Sequence, residues 1–263
     1  MFCRIADPGA LEGRFIQAEV VLGRGNLDLE LRLATSGTWT LLFSQAERTH
    51  HGPLLREFDR CLATAEGVID IGANAGIYTY WFAANRPPGC RLVAVEPLPE
   101  LASQLRKNLE ANGVSGCDVI EAVLTDSPGE RVFHVGTTDS VSSLHADHVG
   151  RHGGSSRSIA VRGTTLDEMV ASTAIKPSLL KIDVEDHELA VLRGGQDVIR
   201  RFRPAILVEV TPGTAFDVHR LLSGYGYEGL RFASDGSLST INEPLVPPGH
   251  AFTDVLYQVS RYG

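Results

Sequence analysis

The stretch from Val68 to Gly76, Val-Ile-Asp-Ile-Gly-Ala-Asn-Ala-Gly, constrains the fold of this chain more than any other. Its first four residues are apolar and largely β-branched except for Asp70, a pattern typical of a strand buried on both faces. The small residues that follow allow a tight turn that a ligand can approach closely. Helical spacing from Ile77 to Ala84 then predicts a helix whose N-terminal amides point at that ligand.

A second buried strand is predicted from Leu92 to Val95, and it delivers Glu96 to its carboxyl end. A carboxylate about twenty residues beyond a glycine turn can hydrogen-bond both hydroxyls of a ribose. The two strands and the helix between them therefore predict a nucleoside-binding β-α-β unit.

The glycine turn departs from the dinucleotide fingerprint G-x-G-x-x-G, because its spacing is Gly72-x-Asn74-x-Gly76 with no glycine at position 77. Asp70 also stands where a dinucleotide-binding strand is usually apolar. An acid there can orient the turn or meet a cationic ligand, and S-adenosylmethionine carries both an ammonium and a sulfonium. These residues resemble a class I methyltransferase. Two alternatives stay open, namely an NAD-dependent oxidoreductase and a structural turn that binds nothing.

Composition indicates one sizeable core, since the chain has 263 residues and is 43% hydrophobic. A net charge of -8 gives no basic field that would attract nucleic acid, so no nucleic-acid partner is expected. No apolar stretch is long enough for a signal peptide or a membrane span. The cysteines lack metal-ligand spacing and C-x-x-C pairing, so we expect reduced thiols in a cytoplasmic protein.

Residues 1–50 are predicted to form a small N-terminal β cap. Leu27 to Leu33 alternates apolar and polar residues with the period of a half-buried strand, and the stretches from Phe15 to Leu22 and from Trp39 to Phe43 are read in the same way. Residues 51–263 then form the main domain, which opens with a predicted helix from Leu54 to Leu62.

Beyond Glu96, the pattern predicts a helix from Leu101 to Ala111 and a third strand from Cys117 to Val123. A third strand would end beside the second, so Ala122 and Val123 could flank an adenine, with Asp126 near its amino group. Asp126 could equally cap the turn that follows it.

Residues 130–163 interrupt the β-α rhythm and predict an inserted hairpin with strands from Arg131 to Val135 and from Ser158 to Val161. The segment between them, from Gly136 to Arg157, lacks apolar periodicity and is predicted to be an active-site lid. Three histidines in it could gather on one helical face: His145, His148 and His152. No carboxylate or cysteine completes a metal site with them.

The C-terminal half returns to the β-α rhythm. Strands are predicted from Ser178 to Glu185 and from Pro204 to Val210, and a closing antiparallel pair from Tyr225 to Phe232 and from Phe252 to Val259. This order predicts an α/β fold with the Rossmann-like sheet of class I methyltransferases.

A second motif makes the resemblance more specific. Leu180 to Gly194 reads Leu-Lys-Ile-Asp-Val-Glu-Asp-His-Glu-Leu-Ala-Val-Leu-Arg-Gly, and together with the glycine turn it resembles the FkbM-type methyltransferase family. The resemblance runs from about Leu54 to Val259. It implies S-adenosylmethionine as methyl donor and, as acceptor, an alcohol oxygen of a sugar, a lipid-linked saccharide or a secondary metabolite. One departure is visible, because the family commonly has glycine where this chain has Asp186. Aspartate tolerates unusual backbone angles, but its side chain changes the acceptor pocket.

The resemblance and the β-α-β unit together assign candidate residues to the cofactor. Direct contacts are implied at Asp70, Gly72, Asn74, Gly76 and Glu96. Their neighbours at the same edge complete the candidate set: Ala73, Tyr78, Thr79, Pro97, Leu98, Ala122, Val123 and Asp126.

The chemistry of the acceptor points to the second motif. An alcohol is a poor nucleophile unless a general base or a metal ion assists the loss of its proton. Asp183 and Glu185 share one face if the strand stays extended, Glu209 arrives from the next strand, and His187 is an alternative base. The three carboxylates could raise the pKa of one of them to make a base, or could hold Mg²⁺. Capping of the following helix is the structural alternative, and an S-adenosylmethionine-binding regulator without turnover is the functional one.

Overall fold

The computed structural model describes residues 15–22, 25–32, 57, 59–136, 142–145, 155–232, 238–241, 246 and 252–259, the first two ranges as backbone only. Within these ranges, eight strands form the largest sheet. In spatial order they are β12 (Leu238–Ile241), β11 (Tyr227–Phe232), β13 (Thr253–Val259), β10 (Ala205–Val210), β9 (Leu179–Ile182), β3 (Gly67–Ile71), β4 (Arg91–Val95) and β5 (Cys117–Ile120).

The five strands from β10 to β5 run parallel. β13 lies antiparallel between β10 and β11. Along the chain, β3, β4 and β5 extend the sheet in one direction, whereas β9 and β10 extend it in the other. The winding therefore reverses between β3 and β9, which is where open α/β sheets bind ligands at their carboxyl edge. This order confirms the predicted Rossmann-like class I methyltransferase sheet.

Helices cover both faces of the sheet. On one face lie α1 (Ile77–Asn85) and α2 (Pro99–Ala111), and on the other lie α3 (Leu166–Thr173), α4 (Glu188–Arg193), α5 (Gln196–Phe202) and α6 (Ala215–Gly224). A capping box begins α3, because the Thr165 side chain accepts a hydrogen bond from the backbone N–H of Glu168 and the Glu168 side chain accepts one in return from the backbone N–H of Thr165.

Alternating residues of the central strands feed the two cores. Ile69, Ile71, Leu180 and Ile182 pack under α3 to α6, whereas Val68 and other residues of opposite parity pack under α1. Asp70 lies two residues after Val68 and therefore on the same face of the sheet, under α1. Lys181 is paired with Asp70 and lies on that face as well.

The inserted hairpin is confirmed, with longer strands than predicted. β7 (Gly129–Gly136) pairs antiparallel with β8 (Ser155–Thr164), and β6 (Val123–Leu124) pairs parallel with β8 to complete a second sheet. The predicted third strand was therefore wrong at its end. It stops at Ile120, because Val123 and Leu124 hydrogen-bond with the inserted hairpin instead of the main sheet.

Near the N-terminus, β1 (Phe15–Leu22) pairs antiparallel with β2 (Gly25–Arg32), which confirms two strands of the predicted cap. The third predicted strand, residues 39–43, lies outside the described residues, as do His148 and His152. The division into a cap and a main domain at residue 50 stays a prediction. Helix α5 and strand β12 were not predicted. Among the described residues, no helix combines the length and apolar character needed to cross a membrane.

Candidate active site

The glycine turn lies at the switch point between β3 and β9. Gly72 adopts a φ of 79°, and a Cβ atom there would lie 1.8 Å from the carbonyl oxygen of Asp183. Gly76 precedes α1 with a φ of 91°, and a Cβ atom there would lie 2.3 Å from Leu105. Both positions require glycine, because a side chain would be strained by the backbone and would clash. The turn therefore packs directly against the backbone that follows β9.

Glu96 ties the ends of β3 and β4 together. It is 4% exposed, and its Oε2 accepts a hydrogen bond of 2.7 Å from the backbone N–H of Asn74. Its Oε1 accepts one of 2.9 Å from the backbone N–H of Leu98. Each carboxylate oxygen can accept more than one hydrogen bond. The structure thus brings Glu96 to the glycine turn, as the β-α-β pattern predicted.

Asp70 is fully buried beneath the same turn. Its Oδ2 accepts a hydrogen bond of 2.5 Å from Oγ1 of Thr79 in α1, whereas its Oδ1 meets no donor among the described residues. Burial raises the pKa of Asp70, and the neighbouring charge of Lys181 and the hydrogen bond from Thr79 oppose that rise. A buried acceptor without a donor is costly unless a ligand or water meets it.

An apolar wall lies beside Glu96. Leu98 and Val123 are buried together with Phe133 and Val161 of the inserted hairpin, and Ala122 is also buried. Asp126 lies on the exposed surface, where its Oδ1 accepts a hydrogen bond of 3.1 Å from Oγ of Ser127. Asp126 lies in the turn beyond this wall, and its contact with an adenine stays a prediction.

Three carboxyl groups lie in a row at the carboxyl edge of the sheet on the α1 face, namely those of Asp183, Glu209 and Asp254. We call them the acid row. Asp183 follows directly after β9, and its backbone N–H donates to the carbonyl of Ile71 at 3.1 Å. Glu209 of β10 lies directly opposite Asp254 of β13 in the antiparallel register. β10 and β9 are neighbours, so the three groups come from adjacent strands of the sheet.

Burial and electrostatic repulsion make two members of the acid row, Glu209 and Asp254, reluctant to ionise. Burial, together with the charges of Asp183, Asp254 and Glu185, raises the pKa of Glu209 to about 10. Burial and the charge of Asp183 raise the pKa of Asp254 to about 7. At neutral pH, Glu209 therefore holds a proton that it can donate in a hydrogen bond.

Lys181 provides a buried positive charge beside the acid row. It is 4% exposed, and its Nζ lies 2.9 Å from Oδ2 of Asp183 and 4.6 Å from the ring centre of Tyr78. Burial disfavours the ammonium, but the charges of Asp183 and Asp70 outweigh burial and raise the pKa of Lys181.

The prediction that Asp183 and Glu185 share one extended face was wrong. β9 ends at Ile182, and the backbone then turns, with a φ of 52° at Glu185 and 73° at Asp186. The turn is held because Oδ1 of Asp186 accepts a hydrogen bond of 2.8 Å from Thr211. Positive φ at Asp186 explains why glycine suits this position and why aspartate is tolerated there.

Glu185 remains at the site after this turn. Burial and the charges of Asp183 and Asp186 raise its pKa to about 8. Its backbone carbonyl accepts a hydrogen bond of 2.8 Å from Oγ of Ser143, in the predicted lid. Part of the inserted segment therefore lies directly on the second motif.

His187 contacts the same inserted segment. Its Nδ1 lies 3.3 Å from Nε2 of His145, so one of the two nitrogens carries the proton between them. Burial, followed by the proximity of His145, lowers the pKa of His187 to about 4. His187 is therefore a neutral imidazole at physiological pH.

The alternative of a magnesium site is not supported. Within the described residues, no group of three or more histidine, cysteine, aspartate or glutamate side chains could hold a metal ion. The carboxylate of Asp183, the central candidate ligand, is instead paired with Lys181.

Sequence reasoning missed two residues of the site. Lys181 was read as part of a buried strand, although a lysine in such a strand requires a buried counter-charge, and β3 supplies Asp70 directly opposite it. Asp254 stands near the start of the last strand, and only the antiparallel pairing with β10 places it beside Glu209.

Residues 70–228 match the model of the methyltransferase FkbM domain. Over 205 residues the chain is 29% identical to the 31-O-demethyl-FK506 methyltransferase FkbM of Streptomyces tacrolimicus, which covers 64% of this chain and 78% of that protein. Over 61 residues it is 44% identical to a protein-L-isoaspartate O-methyltransferase of Aeropyrum pernix, covering 23% of each. A solved FkbM methyltransferase from Methylobacillus flagellatus aligns with a TM-score of 0.48 at 16% identity, covering 74% of this chain and 43% of that one. The chain thus spans less than a quarter of the Aeropyrum protein and less than half of the Methylobacillus chain.

The strand order is that of the Rossmann-like sheet of class I methyltransferases. Because the family model matches well over half of the 263 residues, the chain belongs to the FkbM methyltransferase family. This confirms the resemblance carried by the two motifs and sets aside the NAD-dependent oxidoreductase.

Proposed function

We propose that this protein is an O-methyltransferase that transfers the methyl group of S-adenosylmethionine to a hydroxyl of a sugar, a glycolipid or a secondary metabolite. The observation that carries the proposal is the acid row, which extends along the sheet edge from Asp183, the member that lies against the glycine turn. A polar edge that offers both a carboxylate and a protonated carboxyl suits a hydroxyl, which is both a hydrogen-bond donor and an acceptor.

The residues around the glycine turn fit the cofactor. The buried Oδ1 of Asp70 meets no donor among the described residues, and the turn at Gly72 has no room for a side chain. Glu96 would accept the ribose hydroxyls, since each of its carboxylate oxygens can accept more than one hydrogen bond. Four buried residues in or near the apolar wall would surround the adenine and ribose: Pro97, Leu98, Ala122 and Val123.

The other candidate cofactor residues have supporting roles in this proposal. Ala73, Asn74 and Gly76 shape the turn, Thr79 holds Asp70, and the Tyr78 ring lies against the ammonium of Lys181. Asp126 would meet the edge of the adenine from the exposed turn beyond β6.

Asp183 would act as the general base. When bound, S-adenosylmethionine supplies a methyl carbon activated by its sulfonium. The acceptor oxygen forms the new bond to that carbon as the carbon–sulfur bond breaks, and the hydroxyl proton passes to the carboxylate of Asp183. Glu209 would orient the acceptor by donating a hydrogen bond. Glu185 and His187 are the remaining candidates for the base, and the neutral imidazole of His187 could accept a proton.

The acceptor class is supported by a relative. The Streptomyces tacrolimicus protein is named for 31-O-demethyl-FK506, a compound named for a missing O-methyl group. We extend only the chemical class of the acceptor group, a hydroxyl, to this chain. A cytoplasmic location, expected from the cysteines, is part of the same proposal; Cys61, Cys90 and Cys117 are free thiols.

Binding and turnover measured together test the proposal. Isothermal titration should show binding of S-adenosylmethionine and S-adenosylhomocysteine and no binding of NAD. Methyl-labelled S-adenosylmethionine, incubated with a panel of sugars, glycolipids and hydroxylated polyketides, should label an oxygen in at least one of them. Binding without labelling anywhere in the panel would favour the non-catalytic regulator, and transfer to a nitrogen or a carbon would contradict the proposed acceptor chemistry.

A further inference from the structure

Lys181 occupies a position in the sheet where a charged side chain is costly. It lies in the central strand β9, opposite Asp70 of β3 on one side and Leu207 of β10 on the other. It is 4% exposed. A buried lysine keeps its charge only where carboxylates surround it closely. This chain contains three lysines, and Lys107 and Lys176 are the other two.

The groups that stabilise the ammonium of Lys181 are three carboxyl groups and one aromatic ring. Its Nζ is 2.9 Å from Oδ2 of Asp183, in the turn after its own strand. Asp70 on β3 and Glu209 on β10 also stabilise its charge. From α1, the ring of Tyr78 lies 4.6 Å from Nζ, within the range of a cation–π contact.

We infer that Lys181 is a positioning residue whose ammonium holds Asp183 in an ion pair at the acceptor side and joins it to Asp70 beneath the cofactor turn. The inference rests on the proposed function, in which Asp183 is the base. Lys181 itself touches neither the acceptor nor the cofactor. The positive charge of Lys181 balances the negative charge of Asp183, so that Asp183 can stay ionised beside the buried carboxyl groups of Glu209 and Asp254.

The neighbouring carboxyls respond to the two partners of this ion pair in opposite directions. The charge of Lys181 lowers the pKa of Glu185, Glu209 and Asp254, whereas the charge of Asp183 raises all three. Removing the ammonium alone should therefore make the native protein bind more protons. Removing both charges should cancel much of that effect.

This opposition gives a test that needs neither cofactor nor acceptor. The variant Lys181→Met keeps the length of the side chain and removes its charge. Its native state should take up about one additional proton, so its melting temperature should fall with rising pH between pH 6 and pH 9 by about 3 °C per pH unit more than that of the wild type. The double variant Lys181→Met, Asp183→Asn should return to the wild-type slope.

The matched control is Lys176→Met. Lys176 is a surface lysine whose Nζ lies 3.8 Å from Glu66, with both side chains more than 70% exposed. Its loss should leave the slope unchanged, because an exposed ion pair contributes little.

Two outcomes would overturn the inference. One is that the melting temperature of Lys181→Met changes with pH at the same slope as that of the wild type. The other is a Lys181→Met protein that fails to fold at any pH while the double variant also fails, because the lysine would then be needed irrespective of its charge.

A second measurement addresses the role in catalysis. With any acceptor labelled in the turnover assay, the pH of half-maximal kcat should move upwards in Lys181→Met, whereas a purely structural defect would lower kcat equally at every pH. If wild-type protein fails to bind S-adenosylmethionine, the proposed function is rejected. The charge test still reports on Lys181 in that case.

Discussion

The two halves of the site are stabilised in different ways. On the proposed cofactor side, Glu96 receives backbone hydrogen bonds from Asn74 and Leu98. On the proposed acceptor side, the acid row is assembled from the ends of three strands, and Lys181 provides the opposite charge. Backbone amides do not titrate, whereas a cluster of buried acids around one ammonium changes charge with pH. We therefore expect the proposed acceptor side to respond more strongly to protonation than the proposed cofactor side.

The largest effect is expected from removal of the proposed base, which should lower turnover without weakening cofactor binding. Asp183→Asn keeps the size of the side chain but cannot accept the hydroxyl proton, so turnover should fall by about 10²- to 10⁴-fold. The affinity for S-adenosylmethionine, measured by isothermal titration, should change little, because the proposed cofactor contacts are made by the glycine turn and Glu96.

The matched control for this variant is Asp118→Asn. Asp118 lies on β5, where its 49% exposed side chain pairs with Arg91. This control should keep wild-type turnover. If Asp183→Asn methylates the acceptor at the wild-type rate, the base is another group, and Glu185→Gln and His187→Ala become the decisive variants.

The next effect should be confined to the cofactor half. Glu96→Ala removes the acceptor of two backbone hydrogen bonds and of the proposed ribose contacts. Charged hydrogen bonds are worth roughly 1.5 to 3 kcal/mol, so the Kd for S-adenosylmethionine should rise about 10- to 100-fold.

Glu121→Ala is the control for Glu96. Glu121 is also near the end of the sheet, but its side chain is 43% exposed and pairs with Arg106. Its loss should leave the Kd unchanged. An unaltered Kd in Glu96→Ala would show that the ribose lies elsewhere.

A smaller effect concerns the protonation of the acceptor half. The pKa values of Asp254, Glu185 and Glu209 are raised in the folded protein to about 7, 8 and 10. Between the ordinary pKa of a carboxyl and these values, the folded state binds more protons than the unfolded state. Stability should therefore be highest near pH 5 and should fall as the pH rises towards 8 and above.

Thermal melts of the wild type and of Glu209→Gln check this sign. Glutamine keeps the shape of a protonated glutamate, so the variant should match the wild type at low pH and should lose less stability at high pH. A wild-type melting temperature that increases from pH 5 to pH 9 would contradict the assignment of raised pKa values to this half.

The sequence predicts the geometry of the glycine turn and Glu96 better than that of the acid row and Lys181. The glycine turn and Glu96 depend on residues close together in the chain, and their conformation follows from local geometry. Asp254 and Lys181 matter because of strand pairing, which a single sequence does not show. The third strand was predicted too long because Val123 and Leu124 pair with the distant strand β8. Asp183 and Glu185 were expected on one face because the two positive φ values after β9 are not evident from the sequence.

The smallest predicted effect tests whether the inserted segment belongs to the acceptor half. Ser143 is fully buried, and its Oγ donates to the carbonyl of Glu185 and accepts from the backbone N–H of His145. Ser143→Ala removes both contacts, each worth about 0.5 to 1.5 kcal/mol. The acceptor KM should rise about 2- to 10-fold with little change in S-adenosylmethionine affinity, because the second motif loses its support from the insertion. Ser142→Ala is the matched control, since the neighbouring Oγ accepts a hydrogen bond from Gly136 inside the insertion and does not reach the motif. Equal effects of the two variants on acceptor KM would show that the insertion does not contribute to acceptor binding.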